Sequence, residues 1–139
     1  MSATTSAPRR PLPVTDDHDS GGFWAAAREG KLVVRVCAHC GALLHLPRAY
    51  CHQCGTWSEE WKEVSGRGRL TSWTVVEHQV HPAFPVPYTI VLVELDDAPG
   101  ARLIGQLPGA AALIPGQPME VWFEDAGEGT VLPQWRPAA

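Results

Sequence analysis

The chain has 139 residues, 45% of them hydrophobic, with a formal net charge of −4. That length and hydrophobic content suit one medium domain or two small ones packed together around a true core, and the negative balance argues against a nucleic-acid binder with a broad basic face. Thirteen glycines and thirteen prolines favour turns and short strands over long helices.

Residues 1–18 carry Ser, Thr, Pro and Arg with little to bury, and read as a flexible tail. Their sequence lacks the apolar middle of a secretory signal. No run in the chain approaches the ~20 apolar residues of a membrane helix. The expected setting is therefore the cytoplasm, with no membrane contact.

Residues 19–30, DSGGFWAAAREG, predict a short helix. Asp19 or Ser20 can cap its start and Gly30 can end it. Phe23 and Ala27 share one face at four-residue spacing, with Trp24 beside them. KLVVRV then predicts a strand leading into CAHC, and ALLHL leads away toward CHQC.

Those two knuckles hold the only four cysteines, Cys37, Cys40, Cys51 and Cys54, with ten residues between the pairs. In a reducing compartment, paired CxxC spacing favours a metal over disulfides. Each pair is followed by glycine, Gly41 and Gly55, which permits a positive φ and lets the backbone aim N–H groups at thiolates. This is a zinc-ribbon signature; iron, disulfides or free thiols are the alternatives. Four thiolates fill a tetrahedral zinc ion and leave no place for an activated water, so Zn²⁺ here is expected to be structural. His39 and His52, inside the knuckles, are substitute ligands or exposed loop residues. Arg35 and Arg48 are placed to offset the formal −2 charge of the site.

WSEEWKEVSG links the ribbon to a second region. SGRGRL (65–70) can offer Arg67, Arg69 and backbone N–H groups to a phosphate, or act as a hinge. It lacks the GxxxxGK[ST] pattern of a nucleotide-hydrolysing loop. Strands are expected at 69–78, 88–95, 101–107, 118–124 and 130–135. In 88–95, Thr89, Val91, Val93 and Leu95 share a face. Five short strands over about 70 residues fit a small barrel, an OB-fold before an SH3-like barrel or a small sandwich. The fold class is thus mainly β, with a short helix, a rubredoxin-like ribbon (19–64) and a five-stranded barrel (65–137).

Between the first two barrel strands, EHQVHPAFPVPY is the most unusual loop. Glu77, His78 and His81 can be read as an acid–base group, but no nucleophile accompanies them. Pro82, Pro85 and Pro87 stiffen the loop, which suits a docking segment formed by His81, Pro82, Phe84, Pro85 and Tyr88. Six tryptophans fit core packing or an interface.

FWAAAREGKL, then CAHCG and CHQCG, then WKEVSGRGRLTSWTVVEH, HPAFPVPYTIVLVELD and VWFEDAGEGTVLPQWRP run in one order. Over residues 21–137 the chain resembles the acyl-CoA-associated zinc-ribbon/OB-fold family, long catalogued as a domain of unknown function. The resemblance implies an accessory subunit of a thiolase-like enzyme (thiolase, acyltransferase or steroid side-chain aldolase) whose partner carries the catalytic residues. It carries over Cys37, Cys40, Cys51 and Cys54 as zinc ligands and no catalytic residue. It further implies acyl-CoA shared with the partner and a heterotetramer with two copies of each chain. CHQC departs from the pattern, since many relatives have proline after that first cysteine. No hydratase domain accompanies the ribbon and barrel, so any hydratase is expected on a separate chain. Two other readings stand beside this one: a single-strand nucleic-acid binder built on the barrel, and a stand-alone acyl-CoA enzyme using Glu77, His78 or His81.

Overall fold

A computed structural model describes residues 6–139; the first five residues of the expected tail lie outside the described residues. The predicted helix forms as α1, Gly21–Arg28. Its start differs from expectation in one respect. Ser20 sits at the N-cap without a capping hydrogen bond from its side chain. Its hydroxyl instead donates to Asp17 Oδ2 at 2.6 Å and accepts from Trp24 Nε1 at 3.2 Å. Asp17 Oδ1 gathers the N–H groups of Asp19 and Ser20. The Ser20 hydroxyl, followed by these N–H groups, holds the Asp17 carboxyl below its ordinary value. Asp19 reaches across to accept Ala49 N–H at 2.8 Å, so the helix entry is tied to the ribbon.

Two strands, β1 (Leu32–Val36) and β2 (Glu60–Val64), pair antiparallel with Leu32 opposite Val64 and Val36 opposite Glu60. Both knuckles lie in the excursion between them. β2 falls where the sequence reads as a link. Its pattern, EWKEV, exposes Glu60, Lys62 and Glu63 and buries only Val64 fully, so hydrophobic alternation is too weak to announce it. Pairing with the buried β1 makes it a strand.

The remaining chain forms β3 (Arg67–Val76), β4 (Tyr88–Leu95), β5 (Arg102–Pro108), β6 (Pro118–Gly127) and β7 (Thr130–Pro137). They make one antiparallel sheet in the order β5-β4-β3-β6-β7. A bulge between Leu70 and Ser72 lets β3 bend. The sheet curls until its edges meet: the Gln134 side chain on β7 accepts Gln106 N–H of β5 at 2.8 Å. Gly105 permits that approach, because a Cβ there would lie 2.9 Å from the Trp135 backbone nitrogen. The result is the expected mainly β architecture, an OB-like five-stranded barrel beside a ribbon.

Thr89, Val91, Val93 and Leu95 are all buried, as their alternation predicts. Val91, Val93 and Leu95 join Leu70, Leu103, Met119 and Trp135 in the barrel core, and Leu32, Val34 and Val64 extend the same core into the ribbon hairpin. A second, small cluster of Cys37, Leu44 and Cys51 sits around the knuckles. The ribbon hairpin and barrel therefore share one apolar interior, while the knuckles carry their own small cluster.

Candidate metal centre

The two knuckles repeat one backbone design. Gly41 N–H donates to Cys37 O and Gly55 N–H to Cys51 O, each at 2.9 Å. Cys37 N–H returns to Ala42 O and Cys51 N–H to Thr56 O. Gly41 and Gly55 both hold φ near +74°, the left-handed region that costs glycine little. This curl turns N–H groups toward sulfur, and Cys40 N–H lies 3.5 Å from Cys37 Sγ.

All four sulfurs lie within 4.8 Å of one another. Cys37 to Cys54 and Cys40 to Cys51 are each 3.6 Å apart. A ZnS₄ tetrahedron with ~2.3 Å bonds has edges of about 3.8 Å, so the sulfurs already describe a metal-sized cage. Cys37 and Cys51 are buried, whereas Cys40 and Cys54 face outward.

The thiols are unequal. The Cys40 N–H, aided by the His39 N–H and the Cys54 and Cys40 thiols, outweighs desolvation and holds Cys37 down at about 6. The Thr56 hydroxyl and N–H lower Cys54. At Cys40 the Ala42 N–H also lowers the thiol, but burial and hydrogen bonding with Cys51, Cys37 and Cys54 outweigh it and push it up to about 12. A metal must displace every thiol proton, so occupancy weakens as pH falls. His39 and His52 are exposed on the knuckle tips and lie outside the four-sulfur cluster.

Arg35 does something the sequence does not announce. It is 2% exposed. Its Nη1 donates to His18 O at 2.6 Å and Asp19 O at 2.9 Å, and its Nη2 to Ser58 O at 2.6 Å. Its guanidinium lies 5.0 Å from the Trp61 ring centroid. Trp61 in turn packs on Gly22 of α1, where a Cβ would meet the indole at 2.3 Å. Arg35 therefore pins the helix entry, the second knuckle's exit and β2 together. Arg48 is exposed.

The other sequence candidates separate. Glu77 and His78 are exposed, and no hydrogen bond among the described residues joins them to His81. His81 Nδ1 accepts Ala83 N–H at 3.0 Å, which fixes the loop and not a substrate. His81, Phe84 and Tyr88 form a run of ring contacts with centroids 5.7 and 6.4 Å apart. Pro82 and Pro85 are exposed beside them. Arg67 and Arg69 point to solvent from the start of β3. Trp57 is 73% exposed and meets Tyr50 at a tilt, with centroids 5.4 Å apart.

A cleft of about 520 Å³ also opens between α1, the segment after the first knuckle and the barrel. Phe23, Trp24, Leu46, Ile104, Leu132 and Pro133 line it, and its walls are mostly apolar. Five separate stretches build it, so no local motif marks it.

Fold and site define a zinc ribbon joined to an OB-like barrel. The family model described as "ChsH2, rubredoxin-like zinc ribbon domain" matches residues 24–58, and "ChsH2, C-terminal OB-fold domain" matches residues 61–124. A solved chain titled "Ltp2-ChsH2(DUF35) aldolase" is 35% identical with a TM-score of 0.80, covering 94% of this chain and 100% of that one. The chain therefore belongs to the ChsH2 (DUF35) zinc-ribbon/OB-fold family, and its four cysteines cluster to bind one metal ion. The chain is 36% identical over 131 residues to a probable enoyl-CoA hydratase alpha subunit of Thermomonospora curvata. It is 30% identical over 125 residues to the 3-oxo-4,17-pregnadiene-20-carboxyl-CoA hydratase alpha subunit of Mycobacterium tuberculosis. These alignments cover 93% and 88% of this chain but 40% and 39% of those relatives, so the chain spans about two fifths of their length. No helix among the described residues is long and apolar enough to cross a membrane.

Proposed function

We propose that this chain is a non-catalytic zinc-binding subunit that assembles with a thiolase-like enzyme acting on acyl-CoA thioesters. The single observation that carries the reading is the end-to-end likeness to the DUF35 component of an aldolase, at 35% identity and over all of that chain. The donor set supports it chemically. Cys37, Cys40, Cys51 and Cys54 satisfy all four positions of Zn²⁺, so the metal serves to fasten the ribbon rather than to polarise a substrate. The partner supplies the reacting groups. Steroid side-chain thioesters are the favoured substrate class, from the name carried by the Mycobacterium tuberculosis relative.

The stiff loop bearing His81, Pro82, Phe84, Pro85 and Tyr88 is the proposed contact with the partner: its rings already touch edge-on and at a tilt, so little order is lost on docking. Arg67 and Arg69, free in solvent, are the proposed contacts for a CoA phosphate. The functional division is ribbon at 19–64 and barrel at 65–137, in a cytoplasmic complex with two copies of each chain. Co-expression with the thiolase-like protein tests the assembly. The two are expected to co-purify at equal stoichiometry, with a mass by light scattering of two copies each. Separate elution of the two chains would refute it.

A further inference from the structure

A second hollow, of about 320 Å³, lies on the barrel and is lined by Arg10, Phe84, Gln106, Trp122, Glu124 and Gln134. One of those residues is not part of the barrel. Arg10 comes from the N-terminal arm, and its guanidinium carbon sits 5.4 Å from the Phe84 ring centroid. Its Nη1 is 3.1 Å from Glu124 Oε1, in a half-buried ion pair. The receiving groups are held in place without it. Gln134, itself buried, donates to Glu124 Oε1 at 3.3 Å and accepts Gln106 N–H at 2.8 Å. Phe84 is flanked by His81 and Tyr88. An aromatic face and an oriented carboxylate together make a guanidinium site.

The arm is poorly fastened elsewhere. Residues 6–15 belong to no helix or strand, and no backbone hydrogen bond within the described residues ties them down. Arg9 adds an ion pair to Glu128 between two exposed side chains. Pro8, Pro11 and Pro13 keep the arm extended, the preorganised form in which short segments dock. Within the hollow's lining, Glu124 is the one ionisable group that faces Arg10, so the receiving side carries negative charge.

We propose that this face is a receptor site for an extended, arginine-bearing segment of a protein partner, and that the chain's own arm closes it in cis through Arg10. The site does not depend on the partner being a thiolase-like enzyme, and its test uses the isolated full chain, so the two ideas fail separately.

The probe is a fluorescent peptide, SAPRRPLP, copying residues 6–13, titrated by polarisation. The Arg10→Ala chain, whose site is free, is expected to bind it about tenfold more tightly than the wild-type chain, whose arm competes. Adding Glu124→Gln or Phe84→Leu to Arg10→Ala is expected to lose about tenfold. Replacing the peptide's second arginine by lysine is expected to weaken binding, because a compact, strongly hydrated ammonium covers the Phe84 ring less well while it reaches Glu124. Unchanged melting temperatures of the variants confirm that the fold is intact. Equal binding by wild-type and Arg10→Ala chains, equal binding after Glu124→Gln, or a lysine peptide as tight as the arginine one would each overturn the proposal.

Discussion

Replacing Cys51 by serine is expected to empty the metal site and unfold the ribbon. Cys51 is fully buried beside Cys37 and Leu44, so no solvent can supply the missing ligand. A neutral serine hydroxyl is a poor donor to Zn²⁺, and the three remaining sulfurs are left as a crowded, partly charged group without their cation. Structural zinc is worth about 10–16 kcal/mol in zinc-finger peptides, against about 5–15 kcal/mol of net stability for a whole domain. The metal term is thus comparable to everything else that holds the fold. Because Leu32, Val34 and Val64 carry the ribbon's hairpin into the barrel core, the damage should spread, and the whole chain should melt earlier. Metal analysis should fall from one zinc per chain to near none. Cys40→Ser, at an exposed ligand, should be milder, since water can enter the vacated corner.

The second large effect is expected at Arg35. Arg35→Ala removes the shared donor to His18 O, Asp19 O and Ser58 O and the cation above Trp61. Three carbonyls lose their partner, and the helix entry comes loose from the second knuckle. Breaking a buried charged network of this kind costs about 3–5 kcal/mol. For a chain of this size that is a fall in melting temperature of about 10 °C or more. Arg35→Lys should recover only part of it, because one ammonium cannot span the fork that reaches three carbonyls. Zinc content should stay at one per chain in both variants. That separates the Arg35 effect from the Cys51 effect, where metal is lost first. An unchanged melting temperature in Arg35→Ala would show that the network contributes nothing.

These two residues also mark what could be read from the sequence. The cysteines were legible because metal ligation demands fixed residue types at short spacing, and the glycine after each pair gave the turn away. Thr89 to Leu95 were legible because strand alternation is local. Arg35 was not, because its partners lie 16, 17 and 23 residues away and are backbone carbonyls, which leave no trace in residue type. It read as a counter-charge to the thiolates and proved to be a buried clamp. β2 was hidden by its exposed acids and lysine, and is a strand because β1 needs a partner. The apolar cleft and the Arg10 site were hidden for a related reason. Each is assembled from segments that the barrel topology alone brings together, and Arg10 sits in a stretch whose composition suggested a tail with nothing to do. Ser20 shows the reverse error at small scale. It occupies the expected cap position, but Asp17 supplies the carboxylate that organises the turn.

In the proposed division of labour the metal fastens the fold while a partner performs the chemistry. It is tested by measuring turnover of a panel of acyl-CoA thioesters by the zinc-loaded chain alone and by the same chain assembled with the proposed thiolase-like partner. The isolated chain should show no turnover, and the turnover of the complex should fall when this chain is left out. Turnover by the isolated chain, lost on substitution of a cysteine ligand or of His81, would contradict it.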